Sequence, residues 1–139
     1  MIVLDTNVIS EFLRERPDRN VVRWLDMQPR SSVWTTTVTV FELRSGLLSM
    51  PAGKRRTGLM AALEFVLNEK IQGRIAVFDV AAAERAAELE AAGKAKGRPV
   101  EARDTMIAGI VLANHATLAT RNVRDFEGIG AAVVNPWGA

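Results

Sequence analysis

Four acidic residues are spaced so that folding of the chain could bring them to one place: Asp5, Glu42, Asp104 and Asp125. Clustered carboxylates repel one another, and burying them without a partner is costly, so a site built from three or four acids requires a cation. Oxygen ligands without sulfur suit Mg²⁺ or Mn²⁺. Such ions polarise a phosphate oxygen and lower the pKa of a bound water. These residues are therefore candidate metal ligands for phosphoryl chemistry.

Other residues keep this interpretation open. Asn7 and Asn122 could add neutral oxygens to the same site. Each acid also has an ordinary structural explanation, because Asp caps helices and turns, and a carboxylate at a helix start complements the helix dipole. By local pattern, Asp79 and Glu101 resemble the four candidates almost equally. Spacing alone therefore does not distinguish a metal site from structural roles of these acids, and it does not exclude Asp79 from the site.

The elements that would position these acids alternate between strand and helix. Predicted strands lie at 1–4, 32–36, 75–79, 116–120 and 131–134, and predicted helices at 8–14, 21–27, 41–48, 54–70, 80–96 and 103–114, with an uncertain boundary at 37–40. Asp5 then ends the first strand and Asp125 follows the fourth, while Glu42 and Asp104 open helices. Alternation predicts an α/β fold with a mostly parallel sheet. In such sheets, ligands bind at the carboxyl ends of the strands.

Length and composition limit the functional classes. The 139 residues fit one domain, 1–139, and a net charge of +2 permits nucleic-acid contact without demanding it. Zero cysteines exclude thiol catalysis and cysteine-ligated zinc, and the single histidine, His115, excludes a histidine-rich metal site. The sequence shows neither an apolar run long enough for a membrane span nor a signal peptide, so we expect a cytoplasmic protein.

Several segments together give the chain a family resemblance. They are Asp5-Thr6-Asn7 after a short strand, Glu42 within Val40-Phe41-Glu42-Leu43, Asp104 within 102–108, the run from Thr120 to Phe126, and Asn135-Pro136-Trp137. In this order and spacing they resemble the PIN-domain family, and more closely its VapC-type and FitB-type toxin ribonucleases. The resemblance implies a three-layer α/β/α sandwich with a mostly parallel central sheet.

The resemblance also implies a site. Asp5, Glu42 and Asp104 would surround Mg²⁺, with a fourth polar residue after the fourth strand. FitB-type members carry an acid directly after Thr-Arg, where this chain has Asn122, and VapC-type members carry one three residues later, where it has Asp125. The fourth position therefore stays open between Asn122 and Asp125.

These expectations combine into one functional hypothesis. We expect an Mg²⁺-dependent endoribonuclease toxin that hydrolyses RNA and forms a homodimer. Its small cognate antitoxin would block the site and would connect it indirectly to DNA. The alternative is a catalytically silent PIN module that binds an antitoxin and modulates DNA repression. A dehalogenase-type phosphatase is disfavoured, because Asn7 stands where that family carries a second Asp.

Overall fold

The computed structural model describes residues 1–98 and 100–138, in which helices and strands alternate. The strands are β1 (Ile2–Leu4), β2 (Val33–Thr36), β3 (Ile75–Ala76), β4 (Thr117–Ala119) and β5 (Val133–Val134). The helices are α1 (Thr6–Glu11), α2 (Arg19–Asp26), α3 (Thr37–Leu48), α4 (Lys54–Phe65), α5 (Val80–Ala95) and α6 (Ala102–Ala113). A π-helical turn at Val66–Lys70 follows α4, and short 3₁₀ turns lie at Arg30–Ser32 and Val123–Phe126.

The sheet is parallel throughout and has the order β3-β2-β1-β4-β5. Strand β1 lies at its centre, where Ile2 is in register with Val33 of β2 on one side and with Thr117 of β4 on the other. The chain proceeds from β1 towards one edge and later returns to β4 on the other side. The crevice beyond the carboxyl ends of β1 and β4 is thus the switch point at which parallel α/β sheets bind ligands.

Two apolar clusters cover the two faces of the sheet. Neighbouring strand residues point to opposite faces, so Val3 joins the cluster beneath α5 and α6, whereas Leu4 joins the one beneath α1 to α4. Gly109 brings α6 close to α5, because an added Cβ there would lie 2.4 Å from the carbonyl oxygen of Ala82. The structure confirms the predicted α/β/α sandwich.

Several boundaries differ from the predictions, among them the first helix at 6–11 rather than 8–14 and the last strand at 133–134 rather than 131–134, and two of the differences bear on the acids. The β-branched residues 37–40 belong to α3, because the Thr36 hydroxyl accepts a hydrogen bond from the Thr39 N–H at 3.0 Å and caps the helix there. Strand β3 ends at Ala76 rather than at residue 79. Asp79 caps α5 by accepting from the Ala82 N–H at 2.9 Å. None of the helices in the described ranges is long and apolar enough to cross a membrane.

Candidate active site

Asp5 is the most buried of the four acids, with 4% of its surface exposed. Its N–H donates to the Ala119 carbonyl at 2.9 Å, which extends the β1–β4 pairing by one residue and fixes the backbone at the switch point. One carboxylate oxygen accepts from the Thr6 N–H at 2.8 Å and caps α1. The other accepts from the Thr120 hydroxyl at 2.7 Å. Asp5 is therefore both a helix cap and an oriented site residue.

A small polar network after β4 holds the second oxygen of Asp5. The Thr120 hydroxyl donates its single proton to Asp5. Its oxygen accepts from the Asn122 N–H at 3.0 Å and from the Asn7 side-chain amide at 3.3 Å. The Asn7 carbonyl oxygen in turn accepts from the Arg121 N–H at 3.3 Å. The residue after β1 and the loop after β4 are thereby joined across the crevice.

Glu42 reaches the site from the second turn of α3. One carboxylate oxygen accepts from the Thr6 hydroxyl at 3.3 Å, and the same hydroxyl lies 3.0 Å from that of Thr39. Thr39 is fully buried and also lies within hydrogen-bond distance of Thr36. A threonine chain thus connects the start of α3 with the start of α1 and positions Glu42.

Asp104 stands in the first turn of α6, where its carboxylate is not used as a cap. Glu101 serves that purpose, accepting from the N–H groups of Arg103 and Asp104 at 3.0 and 3.2 Å. The guanidinium of Arg103 lies 5.3 Å from the centroid of the Phe41 ring on α3, which ties the two helices together. Asp104 therefore keeps both oxygens for the crevice.

The charges of these acids act on one another. Burial is the main cause that raises the pKa of Asp5 above its usual value, and the charge of Asp125 raises it further. Burial also raises the pKa of Glu42, partly opposed by Thr6 and Arg103. The pKa of Asp104 rises to about 6, first through burial and then through its acidic neighbours, among them Asp5 and Asp125.

The predicted site residues lie at the same end of the sheet, where the four acids influence one another by charge and the fifth residue, Asn122, contributes through its backbone. Asp5, Glu42, Asp104 and Asp125 share one electrostatic environment, and Glu101 adds its charge to Asp104 and Glu42. Asn122 is exposed and supplies its backbone N–H to the network. The electrostatics therefore favour Asp125 over Asn122 as the fourth residue.

Sequence reasoning did not identify the threonines that hold the acids. Thr39 and Thr120 are both fully buried, and each lies beside apolar residues that offer its hydroxyl no hydrogen-bond partner from their side chains. A polar residue directly after a predicted central strand was the available signal for Thr120. Glu101 was considered on its local pattern, but its double role as a cap and as a neighbouring charge follows only from the fold.

The donor set suits a hard divalent cation in its chemistry, since three acids carry raised pKa values that an added positive charge would lower. In the residues the structure describes, however, no three acidic or histidine side chains stand close enough to enclose one ion. Small side-chain rotations or bridging waters would be needed, as expected for Mg²⁺, which usually keeps several water ligands. The residues fit Mg²⁺ by type and charge rather than as a preformed cage.

Comparison with known proteins identifies the family of this chain and agrees with its fold. The family profile described as PIN domain matches residues 2–131. The VapC ribonuclease Y4jK of Sinorhizobium fredii is 42% identical over 137 residues, covering 99% of this chain and 98% of that protein. The toxin FitB of Neisseria gonorrhoeae is 39% identical over 137 residues, with 99% of each chain covered. A solved structure of FitAB bound to an IR36 DNA fragment superposes with a TM-score of 0.89 at 37% identity, covering 100% of this chain and 97% of that one.

Proposed function

This chain belongs to the PIN-domain family, and from that premise we propose that it is the ribonuclease toxin of a toxin–antitoxin pair. It would hydrolyse RNA phosphodiester bonds with Mg²⁺, or with Mn²⁺ as a plausible substitute. The observation that carries the proposal is the convergence of Asp5, Glu42, Asp104 and Asp125 beyond the carboxyl ends of β1 and β4. The names of the ribonuclease and toxin relatives support it.

Each side chain would have a distinct part in the reaction. Asp5 and Asp104 would hold the cation from the two sides of the crevice, and Glu42 and Asp125 would hold it directly or through water. When bound, Mg²⁺ would polarise the scissile phosphate and favour ionisation of the attacking water. Thr120 would keep Asp5 aimed at the crevice, because its hydroxyl donates to the oxygen that does not cap α1. Glu101 would leave Asp104 free by taking over the cap of α6.

An antitoxin is the second part of the proposal. A cavity of about 830 Å³ lies beside Glu42 between α1, α3 and α4. Its lining includes the apolar Leu13, Leu43 and Leu59 and the basic Lys54. We propose that the antitoxin tail lies here and covers the acids. Homodimer formation and a cytoplasmic location, where cellular RNA is available, complete the proposal.

Cleavage of a defined RNA by antitoxin-free protein tests the chemistry. We would compare Mg²⁺ with EDTA, and the wild type with Asp5→Asn and Asp79→Asn. The two variants are closely matched, because both aspartates cap a helix after a strand and Asn retains that capacity. Cutting that requires Mg²⁺, disappears with Asp5→Asn and survives Asp79→Asn supports the proposal. Cutting that persists in EDTA or with Asp5→Asn contradicts it.

A silent PIN module is the second candidate, favoured by one observation. Within the described part of the chain, no three acids or histidines already enclose a metal position. Such a module would bind its antitoxin and tune repression of DNA without turnover. Calorimetric titration with Mg²⁺ and Mn²⁺ discriminates between the two, because a silent module has no reason to keep its acids together. Absence of both metal binding and RNA cleavage would favour the silent module.

A further inference from the structure

A second cavity, of about 410 Å³, lies beside Asp104 and Asp125, whereas the cavity described above lies beside Glu42. It lies between the end of α5, the first turns of α6 and the 3₁₀ turn after β4. Asp104 and Asp125 form part of its wall, so it is continuous with the candidate active site. Its volume lies within the range of about 300–1,000 Å³ that is typical of small-ligand sites.

Apolar side chains form one part of the cavity wall and charged side chains the other. Phe126 and Ala108, both buried in the core, form its floor together with the partly buried Leu89 and Ile129. The side chain of Val100 remains 41% exposed at the cavity. A flat, weakly hydrated group would gain from covering these residues, since burial of apolar surface contributes about 25 cal/mol per Å².

Three cations also line the cavity: Lys96, Arg98 and Arg124. Among the described ion pairs none involves these three, whereas Lys94, two residues before Lys96, is paired with Glu90 at 3.2 Å. The turn that carries Lys96 and Arg98 folds back on α5 through a 2.8 Å hydrogen bond from the Arg98 N–H to the Gly93 carbonyl. The missing side chain of Gly93 permits this approach, because an added Cβ would lie 2.8 Å from the Arg98 carbonyl oxygen.

The acids in the wall leave the cations free for a ligand. Glu101 is engaged by the N–H groups at the start of α6, and in the proposed function Asp104 and Asp125 would hold the metal. Glu127 is exposed. An apolar part of the wall, three cations and the adjacent acids of the proposed active site together fit a nucleotide, whose base has an apolar face and whose phosphates are anionic.

We propose that this cavity binds the base of a nucleotide next to the scissile phosphate, while Lys96, Arg98 and Arg124 contact the flanking phosphates. The inference rests on the proposed ribonuclease function and adds a substrate subsite to it. The base would pack on Leu89, Val100 and Ile129, and the shape of the cavity would set which bases are accepted beside the cut.

Binding of the four ribonucleoside 5′-monophosphates to methyl-labelled protein, followed by NMR, tests the subsite without any requirement for turnover. The variant Ala92→Trp places a large ring in the cavity from an exposed position of α5. Its matched control is Ala91→Trp, on the same helix and also exposed but not in the cavity wall. Lys96→Ala with Arg98→Ala is compared in the same way with Lys94→Ala.

We expect monophosphates to shift the methyl signals of Leu89, Val100 and Ile129 in the wild type. Ala92→Trp should weaken binding about tenfold or more, as loss of one stacked base does, and Ala91→Trp should leave it unchanged. No shift at millimolar nucleotide, or equal binding by Ala92→Trp and wild type, overturns the subsite. RNA cleavage measured on the same proteins reports separately on the proposed function. If cleavage occurs, Ala92→Trp should raise KM and alter the base preference beside the cut, while the Mg²⁺-induced rise in Tm stays the same.

Discussion

Neutralising Asp104 should make the metal-free protein more stable while removing its response to Mg²⁺. Burial of Asp104, and after it the like charges of its acidic neighbours, raise its pKa from 3.8 to about 6. A carboxyl with a raised pKa in the folded state binds a proton more tightly there than in the unfolded chain. The stability that this proton contributes is complete below pH 3.8 and is lost as the pH rises through 6. At pH 8 the wild type therefore carries the full electrostatic cost, and Asp104→Asn does not.

The size of the effect follows from the pKa. One pKa unit corresponds to about 1.4 kcal/mol, so a rise from 3.8 to about 6 corresponds to at most about 3 kcal/mol. Asp104 is only half-buried, and solvent screening reduces this figure to roughly 1.5 kcal/mol. A negative charge in the first turn of α6 contributes roughly 0.5 kcal/mol in the opposite direction. The net gain is about 1 kcal/mol, or about 3 °C in Tm for a chain of this length.

Thermal unfolding in EDTA at pH 8 and pH 4, followed by titration with Mg²⁺, measures this directly. Asp104→Asn should unfold about 3 °C above the wild type at pH 8. At pH 4 the difference should nearly vanish, because the folded protein then keeps Asp104 protonated and uncharged. Mg²⁺ should raise the Tm of the wild type but not that of Asp104→Asn. Glu84→Gln, at an exposed position of α5, is the control and should change neither property. If Asp104→Asn is less stable than the wild type in EDTA at pH 8, the acids are not under mutual repulsion and the reasoning fails.

Three further predictions concern the elements that hold the site. Thr120→Val should lower the free energy of unfolding by about 1–3 kcal/mol, because the Asn122 N–H and the Asp5 carboxylate both lose their hydrogen-bond partner. Thr120→Ser keeps the hydroxyl and should retain most of the wild-type stability when both variants are unfolded in urea. Gly109→Ala should cost about 1–3 kcal/mol, because the new Cβ would meet the Ala82 carbonyl at 2.4 Å, whereas Gly58→Ala, which has open space, should be neutral or stabilising in the same assay. The Mg²⁺-induced rise in Tm should be larger at pH 8 than at pH 5, because the raised pKa values of Asp5, Glu42 and Asp104 let protons compete with the metal at the lower pH. An equal rise in Tm at pH 5 and pH 8 would contradict metal binding by these acids.

Those parts of the fold that depend on local sequence were predictable. A buried strand running into Asp5 is encoded by neighbouring residues, and the alternation of strands and helices gave the parallel sheet. The start of α3 was not predictable from propensity, because a side-chain cap at Thr36 outweighed the β preference of residues 37–40. Spacing did not exclude Asp79 from the acid cluster, whereas the family resemblance assigns it no catalytic place, and the fold gives the physical reason. Strand β3 lies at the sheet edge with β2 between it and β1, so an acid after β3 is distant from the switch point.

The late position of β4 in the chain has a consequence for the timing of activity. Strand β1 gains its second neighbour only after residues 117–119 have been synthesised, and Thr120 and Asp125 follow later still. Translation proceeds at roughly 5–20 residues per second, so Asp5 and Glu42 leave the ribosome seconds before the strand that aligns them. A nuclease with this order of assembly would stay inactive on its own messenger RNA while that message is being translated. Prematurely terminated chains that end before β4 would lack the hydroxyl that holds Asp5 and the acid that follows β4.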